Sequence, residues 1–447
     1  MLRAQTLKVL FAVVALGSPA AAQTPRAGGP VPGLSSDEQD FFQEGMRRFV
    51  EFDSVLGTEP GATGAGLGPR FNLNSCVACH AQPTVGGSGP AVNPAIAMAT
   101  AYGATNTVPY FLKSNGPIRE ARFKYKPDGS RDGGVHNFFV ITGRADAQSC
   151  NIAQPDFAAE GTKGNLSFRI PTPVFGGGLI DAIEDSTILA NKNARLAEKQ
   201  ALGIGGHENR SGNDGTITRF GWKAQNKSLL LFAGEAYNVE QGVTNELFPA
   251  ERDETPGCVI NGTPEDHTNT GASTPTAAIS SLEGFAQFMS KLAPPEPAAP
   301  TASSQRGSAL FARVGCALCH TSSLTTGPAS TAALSQKPAN LFSDLIVHHM
   351  GPGLADDIIQ GVAGPDEFRT APLWGVGQRL FFLHDGRTND LLTAIEQHAS
   401  GGRSGDTPEL SDAANASYAS EANAVIANFN QLAASEKNDL LNFLKSL

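Results

Sequence analysis

Cys76-Val-Ala-Cys79-His80 and Cys316-Ala-Leu-Cys319-His320 are two copies of one pattern, Cys-x-x-Cys-His, in a chain of 447 residues. On a helical turn, positions i, i+3 and i+4 share one face. Two thiols on that face can bond the vinyl groups of a haem, and the adjoining histidine can bind its iron. A zinc site needs four ligands, and no second Cys-x-x-Cys pair serves either copy. The sequence therefore predicts two covalent c-type haems, attached at Cys76, Cys79, Cys316 and Cys319, with His80 and His320 as iron ligands.

The sixth iron ligand decides whether a haem only transfers electrons or also binds a small oxidant. Met350 follows the second motif in the same half of the chain, within Val347-His-His-Met-Gly-Pro-Gly353. Glycine favours a loop that can approach a haem closely. We therefore predict Met350 as the sixth ligand of the second haem, with His348, His384 and His398 as alternatives.

A proline-rich segment divides the chain. Residues 291–305 hold four prolines among alanines and serines, which is typical of a semi-extended linker. Two similar blocks, Pro173–Gly178 and Pro372–Gly377, follow the two motifs, and a Phe-Arg pair precedes each block. This pattern indicates duplication of one module. We expect a mainly α protein with two cytochrome c-like haem domains, 23–290 and 306–447, the first enlarged by loop-rich insertions.

Apolar residues at helical spacing predict the first and last helices. One is expected to begin at Ser36 or Asp37, because phenylalanines and a methionine recur there at intervals of three or four residues. The other is expected near the carboxy terminus, with Ser435 as its N-cap and three leucines on one face.

The amino-terminal residues predict export. Residues 1–22 combine a positively charged start, a short apolar run and small residues at 20–22, which is the pattern of a cleaved signal peptide. No later run is long and apolar enough for a membrane span. We therefore expect a periplasmic protein, in which the two cysteines outside the motifs, Cys150 and Cys258, form a disulfide.

The formal net charge of −10 bears on binding partners. Proteins that bind nucleic acid carry basic patches, so an acidic chain argues against that class. An acidic surface suits a basic redox partner instead.

Four segments carry a family resemblance: Phe71–His80, Asn213–Gln225, Glu235–Phe248 and Arg369–Arg387. They resemble the di-haem oxidoreductases often called thiol oxidoreductases, which are relatives of bacterial di-haem cytochrome c peroxidases and MauG-like proteins. The resemblance implies a peroxidase-like enzyme. Electrons from a small redox protein or a quinol-linked donor would enter through the carboxy-terminal haem, and hydrogen peroxide would react at the amino-terminal haem. It also implies calcium between the domains.

The resemblance assigns two further residues. Trp222 matches a tryptophan that lies between the haems, and Glu240 matches a glutamate that assists peroxide cleavage. The chain departs from the relatives at Gln241, where they carry methionine. It also departs at Leu383, beside His384, where they can carry a ligand methionine.

Alternatives remain open at this stage. His136 is the rival of Glu240, because an imidazole can act as a displaceable ligand or a proton donor. The whole protein could instead be a pure electron-transfer cytochrome with both irons fully ligated, or an oxygenase resembling the di-haem rubber oxygenases.

Overall fold

The computed structural model describes residues 27–400 and 419–447. The signal peptide predicted at 1–22 lies outside these residues. Across the two described ranges, we find no helix with the length and apolar character needed to cross a membrane.

Helices are the main regular elements, and most of them are short. About 32% of the described residues are helical, so the expected mainly α class describes the protein only loosely. Loops and short strands account for much of the remainder. The helices are α1 (Ser36–Phe49), α2 (Cys76–Cys79), α3 (Ala95–Met98), α4 (Phe157–Thr162), α5 (Gly177–Asp181), α6 (Asp185–Asn193), α7 (Leu196–Ala201), α8 (Leu229–Gln241), α9 (Pro275–Ala278), α10 (Ser281–Lys291), α11 (Ala302–Val314), α12 (Leu391–Glu396), α13 (Asn423–Asn430) and α14 (Ala434–Lys445).

The strands are two to four residues long and form small sheets. β4 pairs with β5 and β7 in a three-stranded antiparallel sheet, and the pairs β1–β2, β3–β6, β8–β9 and β10–β11 complete the set among the described residues. The strands are β1 (Asp53–Ser54), β2 (Gly64–Ala65), β3 (Arg70–Phe71), β4 (Glu120–Phe123), β5 (Val135–His136), β6 (Phe139–Val140), β7 (Leu166–Arg169), β8 (Leu324–Thr325), β9 (Pro338–Ala339), β10 (Val347–His349) and β11 (Glu367–Arg369).

Both predicted terminal helices form. α1 begins at Ser36 as expected, because Ser35 and Glu38 close a capping box around its first turn. α14 begins one residue before the predicted N-cap, Ser435, so that detail was wrong. The Glu436 carboxylate accepts the backbone N–H of Ala433 at 3.0 Å, which fixes the N-cap two residues earlier than the predicted serine.

Two helix pairs organise the two halves of the chain: α1 packs on α10, and α11 packs on α14. Each pair crosses at a glycine. A Cβ atom on Gly45 would lie 2.2 Å from the carbonyl oxygen of Gly284, and one on Gly307 would lie 2.0 Å from that of Asp439. Only glycine allows these backbones to approach so closely.

An aromatic ring one turn after each glycine contacts a motif histidine. Phe49 lies edge-on to His80, with ring centroids 5.9 Å apart. The ring of Phe311 is tilted against that of His320, with centroids 6.2 Å apart. Each helix pair therefore positions its own Cys-x-x-Cys-His motif.

The two similar sequence blocks also share a backbone path. Arg169 ends β7 and Arg369 ends β11, and each strand is followed by a proline and a left-handed glycine. Gly176 has φ 66° and Gly375 has φ 67°, and a helical turn begins directly after each glycine. This equivalence supports the predicted duplication.

The predicted linker, 291–305, is shorter than expected. α10 ends at Lys291, and α11 already begins at Ala302. The Thr301 side chain caps that helix by accepting the backbone N–H of Ser304 at 3.0 Å, so the last predicted linker residues are helical. The division into two domains stays a prediction, which the separate helix pairs support.

The predicted disulfide is confirmed. Cys150 and Cys258 are bonded, with their Cα atoms 4.4 Å apart. Both residues lie in a buried cluster rich in phenylalanine and alanine. The bond ties the region after the first motif to the region before the linker.

We predict that Gly307→Ala destabilises the holoprotein. Alanine normally favours a helix over glycine by about 1 kcal/mol. At this crossing the added Cβ overlaps the Asp439 carbonyl, so we expect a net loss of about 1–3 kcal/mol in thermal unfolding. Gly212→Ala is the control, because a Cβ there meets nothing within 4 Å. Equal melting temperatures for the two variants would contradict the crossing.

Candidate active site

The first Cys-x-x-Cys-His motif forms one helical turn. α2 spans Cys76–Cys79, and His80 follows it directly. Neither sulfur is in a disulfide, so both can bond a haem. The Nδ1–H of His80 donates to the carbonyl oxygen of Gly87 at 3.0 Å, which leaves Nε2 unprotonated for a metal. Burial lowers the pKa of His80 to about 4, so the ring is neutral, as an iron ligand must be.

The second motif repeats this arrangement. A tight turn spans Cys316–Leu318, and Cys319 and His320 follow it. The Nδ1–H of His320 donates to the carbonyl oxygen of Phe342 at 2.9 Å, and burial lowers the pKa of this histidine to about 4. Both motifs therefore present two free sulfurs and one correctly oriented neutral imidazole.

A cavity with six charged side chains in its lining, called here the N-terminal cavity, lies beside His80 and has an empty volume of about 920 Å³. Apart from His80 itself, no histidine, methionine, lysine or tyrosine of the described ranges lines it. A haem held by His80 would thus meet no second strong iron ligand there. The charged side chains that line this cavity are Arg119, Glu120, Arg122, Arg169, Glu235 and Glu240.

Glu240 lies in the last turn of α8 and faces the N-terminal cavity. Burial raises the pKa of its carboxyl to about 8. The neighbouring carboxylates of Glu120 and Glu235 add to this rise, while the Arg122 guanidinium opposes it. A carboxyl with a pKa near neutrality is suited to both accepting and donating a proton.

Trp222 lies between the N-terminal cavity and a second cavity, and its indole lines both. The indole N–H donates to the carbonyl oxygen of Ile170 at 2.9 Å. The N–H of Ile170 in turn donates to the carbonyl oxygen of His384 at 2.7 Å. This hydrogen-bonded ladder fixes the ring between the two cavities.

His136 does not line the N-terminal cavity. It pairs with Ala121 across β4 and β5, and side chains alternate between the faces of a strand. His136 therefore shares the face of Ala121, away from Glu120, and its ring stacks on Phe123 with centroids 3.6 Å apart. The sequence could not reveal this register, which directs the imidazole away from the cavity.

The second cavity, called here the C-terminal cavity, has an empty volume of about 1560 Å³ and a mostly apolar lining. It contains the second motif, and every residue considered as a sixth ligand of the second haem lines it. Their contacts distinguish them. The candidate iron ligands in this lining are His320, His348, Met350, His384 and His398.

His348 has no ring nitrogen left for iron. Its Nε2 lies 2.9 Å from the Asp344 carboxylate, and its Nδ1 lies 2.7 Å from the Glu421 carboxylate. Because each imidazole nitrogen makes one strong hydrogen bond, the ring is fully committed.

His398 has the orientation of the two motif histidines. Its Nδ1–H donates to the carbonyl oxygen of Ala394 at 2.8 Å, which leaves Nε2 unprotonated. Burial is the main cause that lowers the pKa of His320, and the His398 imidazole lowers it further. The two rings are therefore close enough to interact electrostatically. His384 instead stacks on Phe368, with centroids 4.3 Å apart.

Two buried arginines, to which the sequence assigned no role, test whether the C-terminal cavity fits a haem. Nη1 of Arg369 and Nε of Arg379 are buried and have no hydrogen-bond partner among the described residues. Burial lowers the pKa of each guanidinium to about 10, so both remain cationic at neutral pH. Haem propionates are anions that can accept such bonds. The cavity therefore fits the group that the motif implies.

Comparison with a family model gives a match over residues 139–447, more than two thirds of the chain. The model describes the family as "Di-haem oxidoreductase, putative peroxidase". No curated protein sequence matches the chain.

Several solved structures show a weak likeness. A hydrazine synthase from Kuenenia stuttgartiensis is 13% identical, with 99% of each chain covered and a TM-score of 0.36. A MauG-like protein associated with microbial copper homeostasis is 18% identical over 62% of this chain and 90% of that chain, with a TM-score of 0.32. A variant of the di-haem peroxidase BthA from Burkholderia thailandensis is 16% identical over 95% of this chain and 87% of that chain, with a TM-score of 0.32. These scores are too low to support any argument.

We predict that Glu240 is protonated at about pH 6, below its pKa of about 8. Infrared spectra recorded through a pH titration should contain a protonated-carboxyl band that Glu240→Gln removes. Asp53→Asn is the matched control, because burial also raises the pKa of Asp53 to about 8, outside the cavity lining. Persistence of every such band in Glu240→Gln would disprove the assignment.

Proposed function

We propose a function that starts from the family to which the chain belongs, the di-haem oxidoreductases. In this proposal the protein reduces hydrogen peroxide in the N-terminal cavity, with electrons that enter through the C-terminal cavity. Membership makes it a peroxidase-like enzyme. The observation that carries the proposal is the lining of the N-terminal cavity. Beyond His80 it offers carboxylates, guanidiniums and an indole, but no second strong iron ligand among the described residues. A peroxidase needs such a free position on its iron.

The two motifs supply the attachment of the cofactors in this proposal. Bound haem iron would supply the peroxide-binding position and the one-electron chemistry. The free sulfurs, the neutral proximal imidazoles and the unsatisfied arginine donors all support two covalent c-type haems. The attachment and ligand residues would be Cys76, Cys79 and His80 for one haem, and Cys316, Cys319 and His320 for the other.

Glu240 is the proton-transfer group in this proposal. Peroxide cleavage requires a proton to leave one oxygen and reach the other, which departs as water. With a pKa of about 8, the Glu240 carboxyl populates both protonation states near neutral pH. A fixed cation cannot take up the proton, so a tuned carboxyl suits the role.

Trp222 is the electron bridge. Its indole borders both cavities, and its hydrogen bond to Ile170 holds it there. Electrons would reach the C-terminal cavity from a small redox protein or a quinol-linked donor. The net charge of −10 favours a basic donor protein.

The lining of the N-terminal cavity also weighs against the other two functions. A protein that only transfers electrons keeps strong ligands on both faces of each iron. An oxygenase acting on an apolar polymer needs an apolar approach to its iron, whereas three arginines and three glutamates stand in the lining of this cavity. A small polar oxidant fits it better.

A periplasmic location is part of the proposal. The disulfide supports an oxidising compartment. Calcium between the domains stays a prediction. In the described ranges, the only group of three His, Cys, Asp or Glu side chains able to share a metal ion is Cys319, Asp344 and His348. Calcium prefers oxygen ligands, so its site would need backbone carbonyl groups.

We predict that Glu240→Gln retains both haems but loses peroxide turnover by ~10²–10⁴-fold, because general acid–base assistance is removed. Stopped-flow absorbance would measure this loss. Glu251→Gln is the matched control, because the pKa of Glu251 is also raised by burial but the residue lies outside the cavity lining. Full turnover in Glu240→Gln would refute the role assigned to Glu240.

Trp222→Phe should leave peroxide binding intact and slow oxidation of the other haem.

We further propose His398, in place of Met350, as the sixth ligand of the second haem. The support is its free Nε2 and its proximity to His320. His398→Ala should open that iron, so that the reduced variant binds carbon monoxide at both haems. Met350→Ala should bind it only at the first haem. The reverse pattern would return the assignment to Met350.

A further inference from the structure

One guanidinium in the N-terminal cavity is held in place but keeps an unused donor. Arg122 is only 8% exposed, and it lines the cavity from β4. Its Nε donates to the Glu120 carboxylate at 2.6 Å, and its Nη1 donates to the carbonyl oxygen of Gly133 at 2.8 Å. Its Nη2 has no hydrogen-bond partner among the described residues. Because Arg122 lines the cavity, this donor is left for a molecule inside it.

Arg169, the neighbouring arginine of the same lining, provides a contrast. Its Nε and Nη2 both donate to the Asp356 carboxylate, at 3.0 and 2.7 Å, and its Nη1 donates to Gln360 at 2.6 Å. Every nitrogen of that guanidinium is therefore committed to the protein. Arg122 alone of this pair keeps a donor for a molecule inside the cavity.

The strand geometry explains why Arg122 and its partner both reach the cavity. Residues i and i+2 of a strand share a face, so Glu120 and Arg122 project together. The opposite face carries Ala121, which packs against Phe168 across β7. The Glu120–Arg122 ion pair is thus directed at the same space as Glu240.

We propose that Arg122 is a second catalytic residue of the N-terminal cavity, whose Nη2–H donates to the departing oxygen of peroxide. This rests on the proposed peroxidase function. Glu240 moves the proton, and Arg122 stabilises the negative charge that develops while the O–O bond breaks. Glu120 is a positioning residue that fixes the guanidinium.

The overall reaction balances with components already proposed. One hydrogen peroxide, two protons and two electrons give two waters as the O–O bond breaks. The electrons come from the one-electron donor protein, and one proton passes through Glu240. Arg122 keeps its own protons, because the partner Glu120 holds it cationic and raises its pKa against the opposing effect of burial.

The test compares Arg122→Met, which removes the charge, with Arg122→Lys, which keeps the charge but loses the planar fork. Fluoride binding to the oxidised holoprotein, followed by absorbance, reports the donor without turnover. We expect Arg122→Met to weaken fluoride binding by about 10–100-fold, the range for a hydrogen bond to a charged group. Its peroxide turnover should fall by about 10²–10³-fold, as for loss of one oxyanion donor. For Arg122→Lys and Glu120→Gln, we expect a fluoride affinity and a peroxide turnover between those of Arg122→Met and those of the unaltered protein.

The outcomes separate this inference from the proposed function. If Glu240→Gln loses turnover while Arg122→Met and Arg122→Lys keep normal turnover and fluoride affinity, the role of Arg122 is overturned and the peroxidase function stands. If neither Glu240→Gln nor the Arg122 variants change turnover, both are overturned. Should Arg122→Met fail to retain haem, unchanged fluoride affinity in Arg122→Lys and Glu120→Gln decides against the proposal.

Discussion

The close crossing of two helices at a glycine is the contact on which each half of the protein depends. Gly45 and Gly307 let one helix reach the backbone of its partner. A phenylalanine one turn later then reaches the motif histidine. The Nδ1–H of that histidine donates a hydrogen bond to a backbone carbonyl, which leaves Nε2 unprotonated in a residue that lines a cavity. The position of each motif histidine at its cavity therefore depends on this chain of contacts.

The two cavities share this support but differ in what completes them. The C-terminal cavity is mostly apolar and offers several histidines and a methionine. The N-terminal cavity is charged and, in the part of the chain that the structure describes, offers no second strong iron ligand. The Trp222 indole lies between the two cavities and lines both of them. In the proposed function, the two similar modules would provide one closed and one open iron position, which would divide electron uptake from reaction with the oxidant.

Features set by local sequence could be predicted, and features set by long-range packing could not. The motif histidines and the start of the first helix depend on neighbouring residues, and the Cys150–Cys258 bond follows from counting cysteines in a chain that its sequence predicts to be exported. The turning of His136 away from the cavity depends on strand register, which the short, weakly alternating strands do not reveal. Arg122 lies in a segment with no recognisable motif, and only the fold shows that it lines the cavity with one donor left over.

The most direct test of the central claim is the spin state of the two irons in the fully oxidised holoprotein, measured by electron paramagnetic resonance. An open N-terminal position predicts one high-spin and one low-spin ferric haem. The high-spin signal should disappear in a variant carrying Cys76→Ala and Cys79→Ala, which loses the first haem. Two low-spin haems, neither of which responds to peroxide or fluoride, would contradict the account and leave a protein that only transfers electrons.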